Sequence, residues 1–417
     1  MSGEPDNALG IYISVPFCRA KCTYCNFASG VYPAADQARY VERVIADLRG
    51  ARDWAASEKA ELPRRVDTVY VGGGTPTLLG PEQLARIFAA LRAAFDVDAN
   101  AEITVECAPG QFGEATIEAL AAAGVNRASL GVQSFVEAEA RAAGRRHNRA
   151  VVEAEIARLR AAGIANLSID LIAGLPGQTL TSWEESLAAL IGCGAPHASV
   201  YMLEVDEDSR LGRELLTGGE RYGASRVPDD DAIARMYERA IERLAGSGIA
   251  QYEISNFAQP GFASRHNLRY WLRRPYLGVG LDASSMLRAA DSETNAAEQA
   301  EPRPVLRATT SCELPAYLAG PCIVESEWLP ATRQHEEAWF LGLRMNAGVE
   351  PAAIEREFGA ALAGLAMEKL ARLVEDGLLV RIGKVVRLTA RGRLLANEVF
   401  QEFIALDAAK TRIRSRE

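Results

Sequence analysis

Short runs rich in β-branched residues alternate with helical patterns six times between residues 11 and 244. The first two runs are "IYISVPF" (11–17) and "VDTVYVGGG" (66–74), and "PEQLARIFAALRAAF" (81–95) shows the helical spacing, with proline in its first turn. Six consecutive strand–helix units require right-handed crossovers and a parallel sheet. This repetition favours an α/β fold of the partial TIM-type (β/α)6 barrel class over a doubly wound sheet.

The pattern sets approximate boundaries for these elements. Strands are predicted at 11–17, 66–74, 101–107, 126–135, 166–178 and 197–205. Helices are predicted at 36–48, 81–95, 114–123, 149–162, 181–191 and 229–244. In such a barrel the loops that follow the strands meet at one end, where ligands bind.

The remainder of the chain follows a different pattern. The polar stretch 289–304 predicts an exposed hairpin tip or mobile loop. Beyond residue 331, three helical stretches precede two short strands around Gly383 and a final helix, an order that resembles an α+β winged-helix domain. The predicted helices there are 333–344, 351–358 and 361–376. The expected domains are a barrel core over 1–245, an extension over 246–330 and a C-terminal domain over 331–417.

Composition restricts the classes of function. The hydrophobic fraction of 48% and the charged fraction of 24% are typical of a soluble globular protein. A net charge of -9, and 14 Lys/Arg against 12 Asp/Glu over 331–417, argue against a nucleic-acid partner. No apolar run approaches the about 18 residues that span a bilayer, and "MSGEPDNALG" does not resemble a signal peptide. We therefore expect a cytoplasmic, reducing location, where disulfides are rare.

Cysteines fall into a cluster and a scattered set. Cys18, Cys22 and Cys25 follow the first predicted strand at spacings of four and three. Thiolates suit zinc, Cu(I) and iron–sulfur clusters, and three of them on a [4Fe–4S] cube leave the fourth iron open for a small chelating ligand. A zinc site completed by a distant histidine, or coincidence, are the alternatives. The scattered cysteines are expected to be small buried hydrophobic residues: Cys107, Cys193, Cys312 and Cys322.

The CxxxCxxC loop resembles that of the radical S-adenosylmethionine (SAM) superfamily. An aromatic residue usually precedes the third cysteine in this superfamily, and Tyr24 occupies that position. Its second signature is a glycine-rich loop after the second strand, here "GGGTPT" (72–77), where glycines permit close backbone approach to a ligand. The resemblance implies a [4Fe–4S] cluster on the three cysteines and SAM at the open iron.

One branch of the superfamily is similar along almost the whole chain. This branch contains the oxygen-independent coproporphyrinogen III oxidase HemN and the heme chaperone HemW, and the similarity rests on "GGGTPT", "ECAPG", "GVQSF", "GRRH", "IDLIAGLPGQ" and "HNLRYW". Carboxylates can accept hydrogen bonds from the SAM ribose or ammonium, an amide can bind ribose, and an arginine fork suits a carboxylate. The residues implied to contact SAM are Tyr12, Tyr24, Phe27, Gly73, Gly74, Thr75, Glu106, Gln133, Arg145 and Asp170.

Two features separate the HemN and HemW patterns. HemN-type oxidases have a further cysteine two positions after the third and a long N-terminal extension; here Phe27 replaces that cysteine and about ten residues precede the first strand. "HNLRYW" (266–271) matches the HNxxYW motif of HemW, which implies His266 as an axial heme ligand. The alternative is a structural role, in which this motif ties the irregular segment to the barrel.

The sequence therefore predicts a heme chaperone of the radical SAM type that binds a [4Fe–4S] cluster, SAM and heme. It predicts transfer of heme to an acceptor protein, soluble or membrane-associated, and a reducing electron donor. Whether SAM is cleaved or only orders the site stays open. One alternative is an oxygen-independent coproporphyrinogen III dehydrogenase, which decarboxylates propionates. Another is a transcription regulator that uses the winged helix and a redox-sensing cluster.

Overall fold

The computed structural model describes residues 8–290, 302–320, 323–404 and 406. Most of the predicted loop 289–304, and Cys322, lie outside these residues. The strands are β1 Leu9–Val15, β2 Ala60–Glu61, β3 Arg65–Gly73, β4 Asp96–Cys107, β5 Arg127–Gln133, β6 Asn166–Ala173, β7 His197–Met202, β8 Ala250–Gln251, β9 Asn256–Ala258, β10 Tyr276–Gly280, β11 Ser284–Ala289, β12 Val305–Thr310, β13 Ile323–Leu329, β14 Leu379–Ile382 and β15 Val385–Leu388.

Helices account for most of the connections. They are α1 Ala34–Ser57, α2 Pro81–Ala94, α3 Glu114–Ala122, α4 Glu137–Ala142, α5 Arg149–Ala161, α6 Leu180–Gly192, α7 Arg210–Thr217, α8 Asp230–Ala245, α9 Arg265–Trp271, α10 Leu314–Ala319, α11 Ala331–Arg344, α12 Pro351–Glu375, α13 Ala390–Leu394 and α14 Ala396–Gln401. Short 3-10 segments lie at Pro76–Leu78 and Arg221–Arg226. No helix within the described ranges has both the length and the apolar character needed to span a bilayer.

Six parallel strands lie side by side in chain order: β1, β3, β4, β5, β6 and β7. Helices follow each of them, so the predicted α/β alternation is confirmed. The strands are buried on both faces, as the neighbouring residues Thr68 and Val69 of β3 and Ser168 and Ile169 of β6 show, because helices cover one face and the barrel interior the other. Within the described residues the strand order does not return to its start, which gives an open (β/α)6 barrel.

Several predicted boundaries are wrong for local reasons. Strand β6 ends at Ala173 rather than at 178, because Gly174 has a φ of +101° and turns the chain. The Gln178 side chain stabilises this turn, since its Oε1 accepts hydrogen bonds from the backbone N–H groups of Gly174 and Leu175. Strand β7 ends at Met202, and helix α7, which the sequence did not predict, follows it.

The segment over 246–330 extends the sheet at both ends, which its weak periodicity did not predict. Strand β9 pairs antiparallel with β7, whereas β10 pairs parallel with β1, and β11, β12 and β13 continue antiparallel beyond β10. Cys312 lies between β12 and α10 and is exposed, so its predicted burial is wrong, whereas Cys107 is buried as predicted. The extension therefore covers both edges of the parallel sheet.

Helix α9 closes the amino ends of the parallel strands. Glu102 of β4 accepts hydrogen bonds from the backbone N–H groups of Arg265 and His266, at 3.1 and 3.0 Å. Arg269 is 1% exposed, pairs with Asp67 of β3, and donates to the carbonyl oxygens of Ala8 and Pro275. These contacts place "HNLRYW" at the end of the barrel opposite the loops that follow the strands.

A second hydrophobic core forms in the C-terminal region. Trp339 of α11 stacks on Phe403 with ring centroids 5.6 Å apart, and Leu379 and Val386 of the β14–β15 hairpin are buried in the same core. The hairpin turns at Gly383, which has a positive φ of 59°, as its position predicted. The two helices predicted at 351–358 and 361–376 form α12, which is kinked at Gly359.

Candidate functional site

A cavity of about 840 Å³ lies at the carboxyl ends of the parallel strands. Loops that follow the strands of a β/α barrel converge at this end, which is where such folds bind ligands. Twelve of the fourteen residues predicted to bind cofactors line the cavity. They are Cys18, Cys22, Tyr24, Cys25, Phe27, Gly73, Gly74, Thr75, Glu106, Gln133, Arg145 and Asp170.

Backbone hydrogen bonds hold the cysteine loop in place over the barrel. The N–H of Cys18 donates to the carbonyl of Gly30 at 2.8 Å, which closes the loop at its base. The N–H of Thr23 donates to the carbonyl of Ala143, beyond α4, and the carbonyl of Thr23 accepts from the N–H of Leu211 in α7. The loop is therefore fixed to two neighbouring segments without any metal.

The three loop thiols are half-buried and line the same end of the cavity. Burial raises the pKa of Cys18, and the neighbouring Cys22 and Cys25 contribute to the rise, so a bound metal centre would favour the Cys18 thiolate. In the described part of the chain, no three Cys, His, Asp or Glu side chains converge to hold a single ion. Three soft donors spread along one wall fit an iron–sulfur cluster, in which each thiolate binds a different iron.

The glycine-rich loop after β3 packs against the start of the cysteine loop. Gly73 has a φ of +103°, and a Cβ on Gly74 would lie 2.8 Å from the carbonyl oxygen of Val15 and 2.9 Å from that of Phe17. The N–H of Gly74 donates to Val15 at 2.7 Å, and the N–H of Thr75 donates to Phe17 at 2.8 Å. Glycine is required here because the two backbones touch, and this contact brings the two sequence signatures together.

Two carboxylates face the cavity from adjacent regions of the barrel. Glu106 accepts hydrogen bonds from the Tyr70 hydroxyl at 2.9 Å and from the N–H of Gly73 at 3.0 Å. Burial raises the pKa of Glu106 to about 7, and the negative charge of Asp170 contributes to the rise. Asp170 accepts hydrogen bonds from Ser129, and burial raises its pKa as well. A cationic or hydrogen-bond-donating ligand would stabilise both carboxylates.

Backbone strain and an unpartnered donor mark the wall near β5. Gln133 has a φ of +70°, and the pairing of β5 with β6 shifts register between Gly131 and Gln133, which turns this side chain toward the cavity. The Nη2 of Arg145 donates to the Tyr24 hydroxyl at 3.1 Å, while its buried Nε has no hydrogen-bond partner. Buried donors are rarely left unpaired, so this group indicates a place for an acceptor from a ligand.

Two predicted residues do not reach the cavity. The ring of Tyr12 lies inside the barrel, with its centroid 6.1 Å from that of Tyr70 and 6.5 Å from that of His266. Tyr12 does not line the cavity because it lies in the middle of β1, three residues before the strand ends at Val15. In this arrangement Tyr12 lies below the residues that line the site rather than among them.

His266 lies among buried polar groups rather than at the cavity, and its role as an axial heme ligand stays a prediction from its motif. The residue is 1% exposed. Its Nδ1 lies 3.0 Å from Thr68 Oγ1, and its Nε2 lies 2.9 Å from the Tyr270 hydroxyl. Burial lowers the pKa of His266 to about 3, with Arg269 and Arg127 contributing, so the imidazole is neutral and uses one nitrogen as donor and the other as acceptor. The structural alternative fits this geometry.

Comparison with known proteins agrees with the geometry of the cavity. Residues 12–190 match the family model of the radical SAM superfamily, and residues 329–395 match that of the HemN C-terminal domain. The heme chaperone HemW of Lactococcus lactis subsp. lactis (strain IL1403) is 33% identical, over 98% of this chain and 99% of its own length. The chain belongs to the HemW family of radical SAM proteins. The heme chaperone HemW of Bacillus subtilis (strain 168) is also 33% identical, over 94% of this chain and 98% of its own length.

A solved structure shows the same fold as this HemW-family chain. Coproporphyrinogen III oxidase (HemN) from Escherichia coli, described as a radical SAM enzyme, superimposes with a TM-score of 0.79 over 96% of this chain and 91% of that chain. The two sequences are 24% identical, so the likeness concerns the fold alone. Phe27, which stands where HemN-type oxidases have a further cysteine, lies at the cavity rim and is 62% exposed.

The sequence did not predict that the C-terminal region of this HemW-family chain lines the cavity. Arg344, at the end of α11, lines the cavity, as do residues 393–398 around α13 and α14. Arg344 is fixed by hydrogen bonds to Glu253 at 2.7 Å and to Ser255 at 3.2 Å. No spacing in the sequence signals these contacts, because they depend on how the second core packs on the barrel.

Proposed function

We propose that this chain binds a [4Fe–4S] cluster, SAM and heme in the one cavity, and that it delivers heme to an acceptor protein. The observation that supports this most strongly is the convergence of twelve predicted residues on a single cavity. The relatives named heme chaperones are similar over nearly the full chain, and this similarity supports heme as the ligand bound beside the cluster and SAM.

Cys18, Cys22 and Cys25 would hold the cluster by their thiolates, and its fourth iron would be left for SAM. When bound, such a cluster supplies a strongly reducing electron, since cluster potentials extend to about -700 mV. The protein contributes a loop that is already fixed by backbone hydrogen bonds to Ala143 and Leu211. An electron donor of matching potential is part of the proposal.

The SAM site would use the polar groups along the carboxyl ends of β4, β5 and β6. Glu106, already bonded to Tyr70, would accept a hydrogen bond from the SAM ammonium, which favours its charged form. Arg145 would bind the SAM carboxylate through the donor that has no protein partner. Asp170 and Gln133 would bind the ribose hydroxyls, and Tyr24 and Phe27 would pack near the adenine.

Heme would occupy the part of the cavity between these residues and the C-terminal region. A volume of about 840 Å³ is near the upper end of the roughly 300–1,000 Å³ found for ligand sites, which leaves room beside SAM. His266 lies outside the cavity and is not assigned to the iron in this arrangement.

The test is an anaerobic reconstitution, followed by iron and sulfide analysis, heme titration and transfer to apomyoglobin as a probe acceptor. We expect about four irons and four sulfides per chain, a Soret band on heme addition and a faster heme gain by apomyoglobin than by simple exchange. Loss of carbon dioxide from coproporphyrinogen at a steady rate, without heme binding, would instead identify an oxidase. Zinc in place of iron and sulfide would contradict the cluster.

A further inference from the structure

Two arginines of the C-terminal region face the cavity and differ in how they are neutralised. Arg344 has a carboxylate partner in Glu253, which is itself fully buried. Arg393, in α13, also lines the cavity, but its Nε is buried without a hydrogen-bond partner. Across the described residues, the guanidinium of Arg393 has no ion pair. Arg393 is thus a partly desolvated cation whose counter-charge is missing from the protein.

The polar groups around Arg393 do not supply that counter-charge. Tyr237, the nearest polar ring, donates its hydroxyl to the carbonyl of Ile254 and accepts from Gln251 at 2.7 Å, so it is already satisfied. Glu398 lies on the same wall but is exposed, and it forms no ion pair with Arg393. A half-buried cation without an anion is costly, so an anionic ligand is the natural partner.

Apolar side chains surround this cation. Leu394, Leu395 and Ala396 follow Arg393 directly and line the cavity with it, as does Ile254. A ligand that suits this surface has a broad apolar body and a carboxylate at its edge. An arginine fork binds a carboxylate through two parallel hydrogen bonds, which fixes orientation as well as adding affinity.

We propose that Arg393 binds a propionate carboxylate of heme, so that the macrocycle lies against the wall formed by residues 394–396. This inference rests on the proposed function, because it assigns an orientation to the heme of that proposal. It places the propionate edge at the C-terminal region and the remainder of the macrocycle toward the barrel. The C-terminal region is then a part of the ligand site and not only a packing domain.

The experiment compares heme with its dimethyl ester, in which both propionates lose their charge, by absorbance titration of the cluster-loaded full chain. Wild type is expected to prefer heme over the ester by about tenfold or more, as for a hydrogen-bonded charge pair. Arg393→Gln is expected to reduce that preference to near unity and leave ester binding unchanged. Arg391→Gln, an exposed arginine two positions away, is the matched control and should keep the wild-type preference.

Each result decides a separate question. A full preference for heme in Arg393→Gln would overturn this inference and leave the proposed function standing. Absence of heme binding by wild type would overturn both. Arg393→Lys keeps the positive charge but lacks the guanidinium fork, so it should retain part of the preference for heme over the ester. This variant replaces Arg393→Gln in the test if the glutamine variant does not fold. Loss of ester binding in both Arg393 variants would show a packing role and contradict the inference.

Discussion

His266 and Arg269 at the amino end of the barrel differ from Arg145 at the carboxyl end in how their polar groups are satisfied, although the Nε1 of Trp271 in the HNLRYW motif is also buried without a hydrogen-bond partner. At the amino end, His266 and Arg269 are 1% exposed, and their polar groups contact Thr68, Tyr270 and Asp67. At the carboxyl end, Arg145 has a buried donor without a partner. Saturated groups indicate a structural role, whereas unsatisfied or strained groups indicate a ligand site. The contrast separates two motifs that sequence alone placed in the same functional class.

The same contrast bears on His266, whose motif predicted an axial heme ligand and whose two ring nitrogens both have protein partners. "HNLRYW" forms α9, whose first turn is held by Glu102 and whose Arg269 joins three separate segments. A column of rings, Tyr12, Tyr70 and His266, then connects this end with Glu106, which Tyr70 contacts. These contacts favour the structural role of the motif, in which it stabilises the amino end of the barrel and reaches the site through Tyr70.

The largest expected effect concerns the carboxyl end. Cys22→Ala removes one of three thiolates, and we expect it to abolish stable cluster binding while the chain remains folded. Iron and sulfide analysis after anaerobic reconstitution measures cluster binding. Far-ultraviolet circular dichroism measures whether the chain is folded. Cys312→Ala, which removes an exposed thiol, is the matched control and should retain full iron. A Cys22→Ala variant that retains the full iron content would contradict the assignment of Cys22 as a cluster ligand.

The next effect concerns the amino end. Arg269→Met leaves Asp67 with only the more distant and exposed Arg265 as a charge partner, so we expect the free energy of unfolding to fall by about 3 kcal/mol. Arg265→Met, whose side chain is 47% exposed and lies 3.6 Å from the same carboxylate, should change it by less than about 1 kcal/mol. Urea denaturation of both variants measures these values. Equal losses of unfolding free energy in the two variants would show that the burial of Arg269 does not make its ion pair with Asp67 more important than that of Arg265.

His266→Ala decides between the two roles of the motif. Loss of the imidazole leaves Thr68 and Tyr270 without their shared partner, so we expect a cost of about 1–3 kcal/mol in unfolding free energy. The Soret band of bound heme should be unchanged. Tyr270→Phe, which removes only one contact of Nε2, should cost less. A weakened or shifted Soret band in His266→Ala, with the free energy of unfolding unchanged, would support His266 as a ligand of the heme iron.

The smallest expected effect is a pH dependence at the carboxyl end. Burial raises the pKa of Glu106 to about 7, with Asp170 contributing, so lowering the pH through 7 protonates the carboxylate that we assign to the SAM ammonium. SAM affinity should therefore fall as pH decreases, by up to about tenfold per pH unit below the pKa. Titration calorimetry between pH 8.5 and 5.5 would measure this change in SAM affinity. Glu106→Gln should bind weakly at every pH without this slope.

The control for the pH dependence is Glu204→Gln, which alters an exposed carboxylate at the same cavity. This variant should show the same dependence of SAM affinity on pH as wild type. A slope that persists in Glu106→Gln would assign the titration to another group, with Asp170 the first to examine.

Much of the fold followed from local pattern. The six strand–helix units, the proline at the start of α2 and the turn at Gly383 were predictable because period, capping and turn chemistry act within a few residues. The end of β6 at Gly174 was not, since the run "IDLIAGLPGQ" is apolar beyond the turn that Gln178 stabilises. The antiparallel extension from β10 to β13 was also missed, because pairing partners far apart leave no periodic signal.

For the site, spacing identified Cys18, Cys22 and Cys25 as one group, and the resemblance to the radical SAM superfamily added "GGGTPT", whose loop meets theirs because loops after successive strands lie at one end of a barrel. Only the tertiary structure decided that His266 lies at the opposite end and that Arg393 reaches the cavity. Thr68 and His266 are 198 positions apart, so their contact depends on how α9 closes the barrel. Local spacing determines which residues can act together, whereas packing determines which of them still lack a partner.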